Sequence, residues 1–139
     1  MIYDYTLGRT IDPKYYTTVC YGNKNIGTAT VHVTFSGMYS GKLTKTFKIV
    51  KGSQKISAKA STITVQATDA KKKAIKFNLG AKAKTKLSYK SSSKKISVNR
   101  KGTVRVKKGA KRGTYTITVT AKGTKNWKKA TKRIKIIIK

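Results

Sequence analysis

Strict two-residue alternation runs through this chain. In TYTITVTA, Tyr115, Ile117, Val119 and Ala121 fall on one face and threonines on the other. In the closing RIKIIIK, Ile134, Ile136 and Ile138 lie on one side, with Arg133, Lys135 and Lys139 on the other. Successive side chains point to opposite faces only in an extended strand, so this period fits a β-sheet with one buried face and fits no helix. A disordered basic arm has no reason to alternate. The final lysine-rich stretch is therefore read as a closing strand with a basic outer face.

The same period recurs. Ala29, Val31, Val33 and Phe35 alternate with Thr28, Thr30, His32 and Thr34. Leu43, Phe47 and Ile49 share a face with Lys45; Ile75, Phe77 and Leu79 share another; Val104 and Val106 face away from Arg105. Strand-favouring Thr, Val, Ile and Tyr fill these runs. Gly- and Asn-rich clusters separate them: YGNKN, SGMYSG, RKG, KKGAKRG and KGTKN. Asn and Gly tolerate positive φ, so YGNKNIG is expected to reverse the chain, and Gly102 to turn a hairpin between ISVN and TVRV. No stretch shows a helical period. Strands at intervals of about 8–12 residues predict an all-β, antiparallel sandwich.

Charge divides the chain. Residues 1–50 hold six basic residues and two acids, a net of +4. Residues 51–139 hold 28 basic residues and one acid, a net of +27, which completes the +31 of the whole chain. The polar KGSQK, residues 51–55, reads as a hinge, and the boundary is placed there, giving domains 1–50 and 51–139. The second has the length of one sandwich, with about eight candidate strands. The first offers four, at 2–7, 15–21, 27–35 and 42–50, which is marginal for an independent two-sheet core.

Residues 21–49, YGNKNIGTATVHVTFSGMYSGKLTKTFKI, resemble the C-terminal half of a bacterial immunoglobulin-like repeat of the Big type. Asp12, Tyr15 and Thr17 echo the start of its pattern, with Pro13 and Lys14 as an insertion. Asn23, Asn25, Gly27, Thr28, Ala29, Thr30 and Val31 match its middle, and Gly37, Tyr39, Gly41, Thr46, Phe47, Lys48 and Ile49 its end. Residues 85–138 resemble a related Ig-like module, with Trp127 where Tyr is usual, and Ser97 and Asn99 where small or acidic residues are common. The resemblance implies tandem Ig-like β-sandwich modules from secreted or surface proteins of Gram-positive bacteria. It also implies a first repeat that lacks its opening strands. MIYDYTLGRT has no signal-peptide pattern, so an export signal is expected outside this stretch.

The chemistry-bearing residues are few. The acids are Asp4, Asp12 and Asp69, and there is no Glu, which argues against paired carboxylates for acid–base work. His32 stands alone on the polar face of its strand and reads as an exposed bystander. The single Cys20 reads as a small buried hydrophobe and rules out an internal disulfide. GAKRG lacks the context of a phosphate loop. Tyr39 and Trp127 are expected to cap the sandwich ends. No enzyme activity, cofactor or metal is expected. The longest apolar run, in IKIII, is far short of a membrane span.

Three functions follow. The leading expectation is a non-catalytic structural or adhesion module, extracellular or at the cell surface. A second is sequence-independent binding of anionic polymers or cell-wall components (teichoic acid, glycosaminoglycan or nucleic acid). Its candidate residues are Lys71, Lys72, Lys73, Lys94, Lys95, Lys107, Lys108, Arg112, Trp127, Lys128, Lys129 and Arg133. Lys outnumbers Arg 29 to 5, which suits diffuse attraction better than bidentate recognition. No motif for specific nucleic-acid reading is present. The third is self-association through unpaired strands of the first segment.

Overall fold

The computed structural model describes residues 1–139, which divide into two units, Met1–Val50 and Lys51–Lys139.

The first unit opens with a short hairpin, β1 (Tyr3–Asp4) against β2 (Arg9–Thr10). The single strand expected over 2–7 does not form. The Asp4 carboxylate instead accepts from the backbone N–H groups of Thr6 and Leu7, at 2.9 and 3.1 Å, and Gly8 takes φ 62°. This local bonding turns the chain before a longer strand can extend. A 3₁₀ turn at Pro13–Tyr15 follows, N-capped by Asp12. Then β3 (Tyr16–Tyr21), β4 (Gly27–Phe35) and β5 (Lys42–Ile49) form an antiparallel meander with β4 central.

The register places Cys20 against Val31, and Val31 against Lys45, on the apolar face. Only Ile11, Ala29 and Val33 become buried in this unit. Cys20 is exposed, contrary to the buried reading. It sits on β3, an edge strand, where nothing covers the outer column of the face. Asn23 and Asn25 do not take positive φ; Gly22 and Gly27 do so at either end of the turn.

The second unit has seven strands and one short helix. The strands are β6 (Thr62–Val65), β7 (Ile75–Asn78), β8 (Leu87–Ser91), β9 (Ile96–Val98), β10 (Thr103–Val106), β11 (Gly113–Ala121) and β12 (Ala130–Ile138). One sheet has the order β6-β12-β11-β8, the other β7-β10-β9. All pairs are antiparallel except β6 with β12, which is parallel. The second, fifth and fourth strands thus share one sheet, and the third, sixth and seventh the other. This is the immunoglobulin arrangement, with the first strand moved beside the last. Tyr115, near the start of the sixth strand, donates its hydroxyl to the Lys111 carbonyl at 2.9 Å, as in the tyrosine corner of such sandwiches.

The core lies between the sheets. Ile96, Val104 and Val106 come from one, and Ile117, Val119, Ile134 and Ile136 from the other, all fully buried. All but Ile96 are residues that the two-residue period assigned inward. Each contributes about 1.5–3 kcal/mol of apolar burial.

Two features depart from the sequence expectation. The helix α1 (Ala67–Lys72) buries Ala67 and Ala70, one turn apart. Six residues are too few to show a period. The segment read as a polar hinge is clamped instead. Gly52 exchanges backbone bonds with Asn126 and Lys128, at 2.8 and 2.9 Å. The buried Gln54 amide donates to the carbonyls of Lys122 and Lys128 and exchanges bonds with the Thr85 hydroxyl.

Candidate functional site

The twelve candidate residues separate into three places. Eight gather at one end of the second unit. The Ala70 carbonyl accepts from Gly109 N–H at 3.0 Å, which ties α1 to the β10–β11 loop. The Lys95 carbonyl accepts from Lys107 N–H at 2.9 Å, which ties that loop to the β8–β9 turn. These bonds bring together Lys71, Lys72 and Lys73, Lys94 and Lys95, Lys107 and Lys108, and Arg112, all exposed. Lys71 and Arg112 flank a shallow depression of about 260 Å³, with Ala67 and Gly109 in its lining. Asp69, in the first turn of α1, is the only acid of this unit.

Trp127, Lys128 and Lys129 lie elsewhere. The β11–β12 register runs from Gly113 opposite Ile138 to Ala121 opposite Ala130, so their turn is at the far end of a nine-residue ladder. That ladder is about 27 Å long. Trp127 is half-buried, and its ring packs on Gly52 so closely that a Cβ there would lie 2.9 Å from the indole. Arg133 stands apart from both groups, exposed on the outer face of the four-stranded sheet, in a row with Thr118 and Lys90.

Sequence reasoning omitted Lys111, which lines the same depression, and Lys139, whose carbonyl accepts from Ala67 N–H at 2.6 Å. Lys111 adjoins Arg112 and could have been named with it. Lys139 reaches this end through the pairing of β12 with both β11 and β6.

The other chemistry-bearing groups are isolated. His32 is exposed, with Nδ1 2.9 Å from the Thr44 hydroxyl and its ring edge-on to Tyr21. No three His, Cys, Asp or Glu side chains cluster. The Lys14 backbone N–H, donating to the Asp12 carboxylate at 3.0 Å, holds that carboxyl below the usual carboxylate range; the Lys14 ammonium adds to this at 3.4 Å. Burial pushes the Tyr89 phenol up. Tyr39, half-buried, packs against both Tyr15 and Phe35; it belongs to a single-sheet unit, so there is no sandwich end for it to cap. No helix is long and apolar enough to cross a membrane.

No family model matches the chain, and the comparison with curated proteins finds no match. Among solved structures, the N-terminal Ig1-2 module of the Drosophila receptor protein tyrosine phosphatase DLAR is similar at 8% identity. The alignment covers 96% of this chain and 80% of that one, with a TM-score of 0.42. A Bacteroides fragilis protein provisionally assigned as an alpha-galactosidase is similar at 16% identity over 67% of this chain, with a TM-score of 0.45. The match spans only 19% of that protein's length. Both TM-scores lie below 0.5 and add no weight. The all-β class, and the immunoglobulin arrangement of residues 51–139, rest on this chain's own strand order and buried ladders.

Proposed function

We propose that this chain is a non-catalytic, Ig-like structural module of a secreted or cell-surface bacterial protein, serving as a spacer or in adhesion. The observation that carries the reading is the second unit. Its seven strands follow the immunoglobulin order around a continuous apolar core, and no buried side-chain polar atom lacks a partner. The resemblance of residues 21–49 and 85–138 to bacterial Ig-like repeats supports the setting.

A second reading, polyanion binding, is favoured by one observation. Eight exposed basic residues from three separate segments meet at the α1 end. Such a surface attracts phosphate or sulfate polymers without reading their sequence, and each neutralised phosphate releases counterions.

One experiment separates the two. Binding of the full chain to heparin, teichoic acid and DNA is measured across a salt series. Release of all three together, well below physiological salt, is the result expected for a spacer with an unspecific field. Retention of one polymer near 0.15 M salt, lost on reversing Lys71 and Arg112 to Glu, would replace the spacer reading with polyanion binding.

A further inference from the structure

A second concavity of this unit lies away from the α1 end. It is an open groove of about 910 Å³ between the edge strands of the two sheets, β8 and β9. Its floor is apolar, with the half-buried Leu87, Tyr89 and Val98. Its rims are basic: Lys82 and Lys86 on one side, Arg100 and Lys101 on the other.

The backbone of β8 faces this groove with free groups. Ser92 N–H donates to the Thr116 carbonyl at 2.9 Å, and Lys122 N–H to the Lys86 carbonyl at 3.1 Å. In an antiparallel ladder such pairs alternate with pairs whose N–H and C=O point off the sheet. Residues 86, 88, 90 and 92 therefore bond towards β11, and the N–H and C=O groups of Leu87 and Tyr89 point away from it. β11 is the only strand that pairs with β8. An unpaired ladder beside an apolar floor is a template for another strand.

Charge selects the occupant. Four cationic side chains rim the groove, and the unit's single acid, Asp69, lies in α1 at the opposite end. A second copy of the chain carries +31 and is repelled. Nucleic acids and glycans offer charge but no peptide ladder at strand spacing. We propose that the open edge of β8 and its groove form a docking site for an extended acidic segment of a partner protein, which joins the four-stranded sheet as a fifth strand. This site is independent of the α1 end and of the spacer reading.

The test uses the full ¹⁵N-labelled chain and an eight-residue peptide of alternating Glu and Val, at about 0.15 M salt. The expected result is at least tenfold slower hydrogen exchange at the Leu87 and Tyr89 amides, with little change at the α1 end. Leu87→Pro removes an N–H that the fold itself does not use and should weaken peptide binding at least tenfold. Leu87→Val, which trims the side chain but keeps the N–H, should bind within about threefold of the parent. Arg100→Glu, on an exposed turn, should also weaken binding and provides the test if the proline variant fails to fold. The proposal is overturned if the peptide does not bind, if protection falls elsewhere, or if Leu87→Pro folds and binds like the parent. It is equally overturned if single-stranded DNA of matched charge gives the same protection at Leu87 and Tyr89, because the groove is then only a charged patch.

Discussion

The two units use the same strand grammar and reach different degrees of closure. Residues 1–50 form one three-stranded sheet and a small hairpin, and bury three apolar side chains. Residues 51–139 form two facing sheets and bury fifteen. All eleven exposed large hydrophobics, from Met1 to Val50, belong to the first unit. Alternation makes a sheet with an apolar face, but only a second sheet turns that face into a core. The +27 of the second unit does not prevent this, because its lysines ride on outward positions and loops, except Lys132, which is half-buried opposite Val119 near the end of the β11–β12 ladder.

Core truncation should separate the units most. Ile134→Ala removes a fully buried side chain and should destabilise the second unit by about 2–5 kcal/mol. Phe47→Ala, at a side chain 45% exposed on β5, should cost the first unit less than about 1.5 kcal/mol. Denaturant titrations of the two variants would show this, with the single tryptophan reporting the second unit and exchange at β4 amides the first. Equal losses would mean that the first unit has a core comparable to the second.

Gln54→Leu should cost about 1–3 kcal/mol, since it strips partners from the Lys122 and Lys128 carbonyls and from Thr85. The loss should appear in Trp127 fluorescence. An unchanged midpoint would return residues 51–55 to the status of a loose hinge. Tyr115→Phe removes one hydroxyl bond to Lys111 and should cost about 0.5–1.5 kcal/mol, again in the second unit alone.

The smallest effect concerns pH. The Asp12 carboxyl is depressed in the folded state, so its contribution is present above its unfolded value and is lost as pH falls through the folded one. The thermal midpoint of the first unit should slip slightly between neutral pH and about pH 2, and Asp12→Asn should remove that slip. The group is fully exposed, so the change is small. A large acid transition in the second unit, which holds a single acid, would contradict this picture.

Much was legible before any coordinates. The inward positions of β10, β11 and β12 follow from alternation alone, because a strand has only two faces. The Gly102 hairpin was also legible, and its mechanism is visible in detail: Gly102 takes φ 76°, and the Asn99 carboxamide oxygen accepts from Lys101 and Thr103 N–H. The hairpin at β1 and β2, the exposure of Cys20 and the helix α1 were not legible. A two-residue period says which way a side chain points, not whether anything lies over it, and short hydrogen-bonded turns leave no period at all.

The candidate site shows the same division. Sequence could count lysines, but it grouped Trp127, Lys128 and Lys129 with Lys71 and Arg112, which the β11–β12 ladder places at opposite ends. The sequence by itself determined the longer strands from β3 onward, the inward faces of β10, β11 and β12 and the uneven charge, because those depend on local alternation and composition. Only the tertiary structure decided which lysines are neighbours, that residues 51–55 are clamped, and that Leu87 and Tyr89 keep free backbone groups. Those depend on strand pairing across long separations, and pairing is set by the packing of two whole sheets.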